Sequence, residues 1–319
     1  MEKLENIINK GVNDWGKNYV LSMPFILDRL FWYMLQFILG VALGIIIFFM
    51  LPSDIIDEPD LFSAFLASGD ILSIAGIISA LAFVFLVVRM LVGGFLISGA
   101  TGMSLDVLEK KQTGLSQMIR YGLRYYHKLF AANLLVLLTL LCGEIIIVGA
   151  FFGLPYEIGW LARENPMFVL GLIAIMAGLC FSVIYALLVD ISFKNVQFAL
   201  VYSKKGVLDS LKTSINFFKI NKLDVFLIWL IVLIIGLFAY SVNFIISVFF
   251  GLIPIVGPLI AQLLILVVYL ILSFVLDPVS TLWYGRLYVD RKLGFNPANP
   301  EKSIEPAYQT PAPDETIKQ

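Results

Sequence analysis

Apolar residues in this chain come in long blocks separated by short polar stretches. A helix crosses a bilayer with about 20 apolar residues. Six blocks reach that length, at approximately 30–51, 71–103, 129–154, 167–193, 225–251 and 257–284. The last two come from one run, Val225 to Leu276, which carries no charge and is too long for a single span. Pro254 and Pro258 divide it, because each removes a helix donor, and Gly257 permits a turn between them. The pattern therefore predicts six transmembrane helices.

A second periodicity lies between the blocks. Leu4, Ile7, Ile8, Trp15 and Tyr19 share one helical stripe. Leu115, Met118, Ile119, Gly122, Tyr125 and Tyr126 share another, with Arg120, Arg124 and Lys128 opposite. This is the pattern of a helix lying in the membrane interface. Residues 114–127 and 206–219 also match each other, aligning Arg120 with Lys212, Tyr125 with Phe217 and His127 with Lys219. Asp190 and Asp277 each stand near a span end, before a tyrosine-containing stretch and a basic pair. The expected fold is an all-α polytopic membrane protein, with six transmembrane helices arranged as three hairpins. An amphipathic interfacial helix precedes each hairpin, at approximately 3–20, 112–128 and 204–221. Residues 1–295 form one membrane domain. Residues 296–319 hold five prolines and little that is apolar, which predicts a disordered cytoplasmic tail.

Composition agrees with this class. The chain is 60% hydrophobic and 14% charged, against about 25% charged in soluble domains. Its net charge of −1 gives no bulk field for nucleic acid. Lysine and arginine cluster before span one, between spans two and three, between spans four and five, and after span six. Only Arg163 stands in an opposite loop, and the first such loop is acidic, with Asp54, Asp57, Glu58 and Asp60. This bias predicts a multi-pass protein of the cell (plasma) membrane with both termini cytoplasmic. The first block starts behind a charged stretch, which predicts an uncleaved span rather than a signal peptide. Cys142 and Cys180 lie inside apolar blocks and read as small packing residues without a disulfide framework.

Candidate chemistry is sparse. The single histidine, His127, has no second ligand at metal spacing, and no hydrolase, metalloprotease or phosphate-loop motif occurs. No catalytic residue, metal or cofactor is expected, and the chain does not read as an enzyme. Four charges fall inside the blocks: Arg89, Glu144, Asp190 and Asp277. An arginine at mid-membrane costs at least about 2.5 kcal/mol, so it needs a partner or water. Glu144 is the acidic residue expected to pair with Arg89. Asp190 and Asp277 read as span-end acids that cap a helix or meet basic residues.

The segment G-V-L-D-S-L-K-T-S-I-N-F-F-K-I-N-K before span five, and the exit W-Y-G-R-L-Y-V-D-R-K-L-G-F after span six, carry a family likeness. The chain resembles uncharacterised prokaryotic six-helix membrane proteins related to the membrane domain of some bacterial glycerophosphodiester phosphodiesterases. The resemblance implies a fold type and a prokaryotic membrane address, and no activity, since the phosphodiesterase domain is missing.

Two functions are consistent with these features. One is a non-catalytic membrane protein whose basic helices engage anionic membrane lipid or another membrane protein through Arg120, Arg124, Lys128, Lys212, Lys219 and Lys222. The other is a small-solute or ion transporter or channel that uses Arg89, Glu144, Asp190 and Asp277. A cavity joining the embedded charges to the cytoplasm would favour the second.

Overall fold

A computed structural model of the chain describes residues 2–50, 69–153, 167–254 and 256–292. Helices make up almost all of them, with no strand among the described residues. In chain order they are α1 (Leu4–Lys17), α2 (Met23–Met50), α3 (Gly69–Lys110), α4 (Leu115–Val148), α5 (Phe168–Phe193), α6 (Val196–Val201), α7 (Val207–Ile220), α8 (Lys222–Gly251) and α9 (Val256–Lys292). A 3₁₀ turn, Tyr19–Ser22, joins α1 to α2, and a π-turn, Gly149–Gly153, extends α4. Six helices are long and apolar enough to cross a membrane, so the chain is a multi-pass membrane protein. The acidic loop, Arg163 and the tail at 296–319 lie outside the described residues.

The six long helices alternate in direction, so their basic ends meet. At that end the protein is densely packed. Phe198, Leu282, Leu287 and Tyr288 are fully buried there, with Tyr121, Tyr125, Phe217, Trp283 and Tyr284 around them. We call this layer the base. It contains α1, α6, α7 and the basic ends of α3, α4, α8 and α9.

Small residues bring α3 and α4 together. A Cβ at Gly99 would lie 2.8 Å from the carbonyl oxygen of Met118, and a Cβ at Gly102 would fall inside the Tyr121 ring. A Cβ at Gly122 in turn would strike Phe95 at 2.6 Å. By contrast Gly40 and Gly44 on α2 face open space.

The expected interfacial helices take a different form. Segment 112–128 is no separate helix: from Leu115 it is the first half of α4, with no proline or terminal cap to break it at Lys128. Segment 3–20 forms α1, which runs antiparallel along α9. Ile8 accepts a bond from Trp283 at 3.0 Å, while Trp15 meets the ring of Phe274 at 5.6 Å. Segment 204–221 forms α7. Both α1 and α7 end at an asparagine whose side chain donates to the carbonyl four residues back: Asn18 to Asp14 at 3.0 Å, and Asn221 to Phe217 at 3.1 Å. These caps turn the chain before α2 and α8. The span exits differ too, since the chain breaks at Asn195 after α5 but α9 runs unbroken past Asp277.

Pro278 sits inside α9. Its missing N–H frees the carbonyl of Phe274. Ser22 Oγ donates to that carbonyl at 2.5 Å, and Trp15 Nε1 donates to Ser22 at 2.9 Å. The start of α2 thus fills the gap that Pro278 leaves in α9.

Candidate functional site

Three of the embedded charges, Arg89, Asp190 and Asp277, lie in one layer with Asp28. Asp28 pairs with Arg89, its neighbour Arg29 stands beside Asp277, and Asp190 bonds Trp229 of α8, all at one level of the helices. Exposure of large apolar side chains stops at the same level, at Leu91 on α3, Leu188 on α5 and Val275 on α9. Beyond that level those helices are buried in the base. On these three helices the charge layer coincides with the change from exposed to buried apolar side chains.

Arg89 does not pair with Glu144. Its guanidinium grips Asp28 of α2 with both Nη atoms, Nη2 at 2.7 Å from Oδ2. Trp32, one turn further along α2, lies under the guanidinium at 5.4 Å. Gly93 leaves room for this grip, since a Cβ there would lie 2.6 Å from Arg89 Nη1. Arg29, the next residue on α2, turns to α9 instead. It stands 3.8 Å from Asp277, donates to Ser273 at 3.2 Å and covers the ring of Tyr269 at 5.0 Å. The adjacent Asp28 and Arg29 thus tie α2 to α3 and to α9 through opposite charges.

Counting spans from the first apolar run hid Asp28, because that run starts at Leu30. The signal that was available is chemical: Asp28 and Arg29 are adjacent opposite charges at the entry to an apolar helix.

Glu144 lies higher, 16 residues beyond Lys128 on α4, or about 24 Å. It accepts a hydrogen bond from Ser182 of α5. Nearby Tyr185 donates to the carbonyl of Thr139 at 2.6 Å, its ring against Gly143. Asp190 accepts from Trp229 Nε1 at 2.8 Å and stands 4.0 Å from Lys194. Cys142 and Cys180 are free and exposed on α4 and α5, so they do not serve as packing residues.

The base carries the other charges. Asp106, 1% exposed, was missed because it follows an apolar block. It accepts from Lys110 at 3.0 Å and Tyr121 at 3.3 Å, with Arg120 at 3.8 Å. Arg120 and Arg124 lie over the rings of Tyr121 and Tyr125, and Lys128 also approaches Tyr125. Lys212, Lys219 and Lys222 are exposed on α7 and at the start of α8. Arg286 pairs with Asp14, and Arg291 bonds Asp290 at 2.7 Å and Asp224 at 3.0 Å, joining α1, α8 and α9. Tyr202 shares a hydrogen bond with Ser104 at 2.7 Å, and burial pushes its phenol pKa above the usual value. Among the described residues no group of three or more histidines, cysteines or carboxylates is placed to hold a metal.

Three cavities flank these groups. One of about 270 Å³ lies beside Glu109, Lys110, Arg120, Tyr121 and Arg124. A wholly apolar one of about 370 Å³ lies between α1, α8 and α9. The third, about 390 Å³, separates α5 from α8 beside Asp190 and Trp229. None of the three is lined by Arg89, Asp28 or Glu144.

A family model described as a domain of unknown function (DUF7847) matches residues 44–287. No curated protein and no solved structure matches the chain.

Proposed function

The chain belongs to the DUF7847 family of domains of unknown function, and we propose that it is a non-catalytic membrane protein whose base docks an acidic partner at the cytoplasmic face of the plasma membrane. The observation that carries this reading is a stripe on α4. Leu115, Ile119, Leu123 and Tyr126 are exposed along one line of the base, with Arg120 and Arg124 beside them. An apolar line flanked by arginines suits a protein surface better than water.

Depth separates lipid from partner. Gly94 lies against the backbone of Tyr126 and Phe130. The charge layer at Arg89 is therefore level with a point about five residues beyond Lys128, or about 7 Å. A headgroup layer adds about 5–7 Å on each side. Lys128 is within reach of headgroups. Arg120 lies about 20 Å beyond the charge layer, which suits a protein partner. The clustering of lysine and arginine supports a cytoplasmic base.

A transport reading needs a water path to the embedded charges. Arg89 is held by Asp28, Glu144 by Ser182, and buried apolar side chains pack the base. These contacts favour docking.

The test is a photo-crosslinking residue placed at Ile119 in the full-length protein in cells. We expect a protein adduct of defined mass, lost in the Arg120→Glu/Arg124→Glu variant while the variant still inserts. Adducts to lipid alone, or a protein adduct indifferent to the charge reversal, would overturn the reading.

A further inference from the structure

A cleft of about 390 Å³ separates α5 from α8. The two helices touch little, and at the charge layer the main link is the bond from Trp229 Nε1 to Asp190 Oδ2. From there the cleft rises along α8 to Tyr240, with Leu187 on the α5 side. Eleven residues separate Trp229 from Tyr240, about 16 Å, or half the hydrocarbon thickness. Gly236 faces the cleft, and a Cβ there would meet nothing within 4 Å. The apolar part is therefore as long as one leaflet and opens to it.

The polar end carries both signs of charge. Lys194 Nζ stands 4.0 Å from Asp190 Oδ1, too far for a hydrogen bond. The two side chains are 36% and 55% exposed. Trp229 occupies the other carboxylate oxygen, so Oδ1 remains open beside the lysine. A headgroup with a phosphate and a primary ammonium would satisfy both, the phosphate on Lys194 and the ammonium on Asp190. An anionic headgroup without an amine would meet Lys194 equally but would be repelled by Asp190.

We propose that this cleft binds one amine-bearing zwitterionic phospholipid of the leaflet at the basic end, with its headgroup on Asp190 and Lys194 and an acyl chain along α8 past Gly236. The proposal does not depend on the docking of a partner by the base.

Delipidated full-length protein in detergent is titrated with phosphatidylethanolamine, phosphatidylcholine and phosphatidylglycerol, and bound lipid is counted by native mass spectrometry. We expect one phosphatidylethanolamine held about tenfold more tightly than either other lipid. Asp190→Asn should remove that preference, and Lys194→Gln should weaken all three. Gly236→Phe should block binding without changing thermal stability, because its side chain enters open space. Because Asp190→Asn also weakens the tie to Trp229, the Gly236→Phe result decides the site independently. Equal retention of the three lipids by the wild-type protein, or unchanged binding in Gly236→Phe, would overturn the proposal.

Discussion

The base and the spans above it use the same helices in opposite ways. Below the charge layer, α3 and α9 pack on one another, α3 also on α6, α9 on α1, and α5 on α7. Aromatic rings interlock there: Phe198, Tyr202, Phe217 and Tyr288 lie within 5.2–6.3 Å of one another in successive pairs. Above the layer the same helices expose Phe83, Val183, Leu259 and many like them. Contacts between spans there are few and specific, such as Tyr185 on Gly143 and Ser182 on Glu144. Lipid accounts for the difference. In hydrocarbon there is no hydrophobic gain in bringing leucines together, so spans associate through small residues and hydrogen bonds. At the base the helices close into a buried core.

The contrast can be broken at the charge layer first. Removing one partner of a buried ion pair costs about 3–5 kcal/mol, and these side chains retain some exposure, so Arg89→Ala should cost about 3 kcal/mol. Asp28→Ala should cost a similar amount, and the double variant should recover at least about 1 kcal/mol of the sum. Arg89→Ala with Glu144→Ala should be additive. Unfolding in mixed detergent micelles measures the cycle; coupling of Arg89 to Glu144 rather than Asp28 would contradict the structure.

Glycine substitutions sharpen the comparison. Gly102→Ala places a methyl group in the ring of Tyr121 and should cost about 2 kcal/mol, within the range for overpacking. Gly40→Ala, above the layer and facing open space, should leave the melting temperature unchanged. Equal effects at the two sites would erase the distinction between base and spans.

A smaller loss is expected at Ser22. Ser22→Ala leaves the Phe274 carbonyl without a donor, at a cost of about 1–2 kcal/mol. Ser22→Ala combined with Pro278→Ala should be milder, because the alanine at 278 restores the N–H that bonds Phe274. A double variant as unstable as the sum of the singles would show that Ser22 serves some other contact.

The six spans were legible in the sequence because apolar length is a strong signal. The partners of their charges were not. The apolar run of α3 continues from Ile71 to Met103, well past Arg89, because the base interior is as apolar as a bilayer. Length and hydropathy do not distinguish burial by lipid from burial by protein. Asp28 escaped notice for a different reason: Asp28 and Arg29 interrupt the first apolar run, which was counted only from Leu30. The matched segments at 114–127 and 206–219 are alike in burial, with Tyr125 and Phe217 each 3% exposed. They differ in helix breaks, since Asn221 ends α7 whereas nothing comparable stands near Lys128. The likeness to phosphodiesterase membrane domains rested on the basic segments around spans five and six; the family match covers the first and only the start of the second, and carries no assigned function.

The bond from Ser22 to Phe274 also sets an order of assembly. The two residues are 252 positions apart. Arg29 and Asp277 are separated by nearly as much, and so are α1 and the length of α9 that holds it. A ribosome elongating at about 5–20 residues per second leaves the first span waiting on the order of ten seconds or more for the last. During that interval Trp15, Ser22 and Arg29 have none of their α9 partners. Whatever keeps the first span in place until α9 arrives must come from α2 itself, from lipid, or from Arg89, which emerges far sooner. The α2–α3 pair is thus the part of the fold that can form early, and α9 closes the molecule from the other end of the chain.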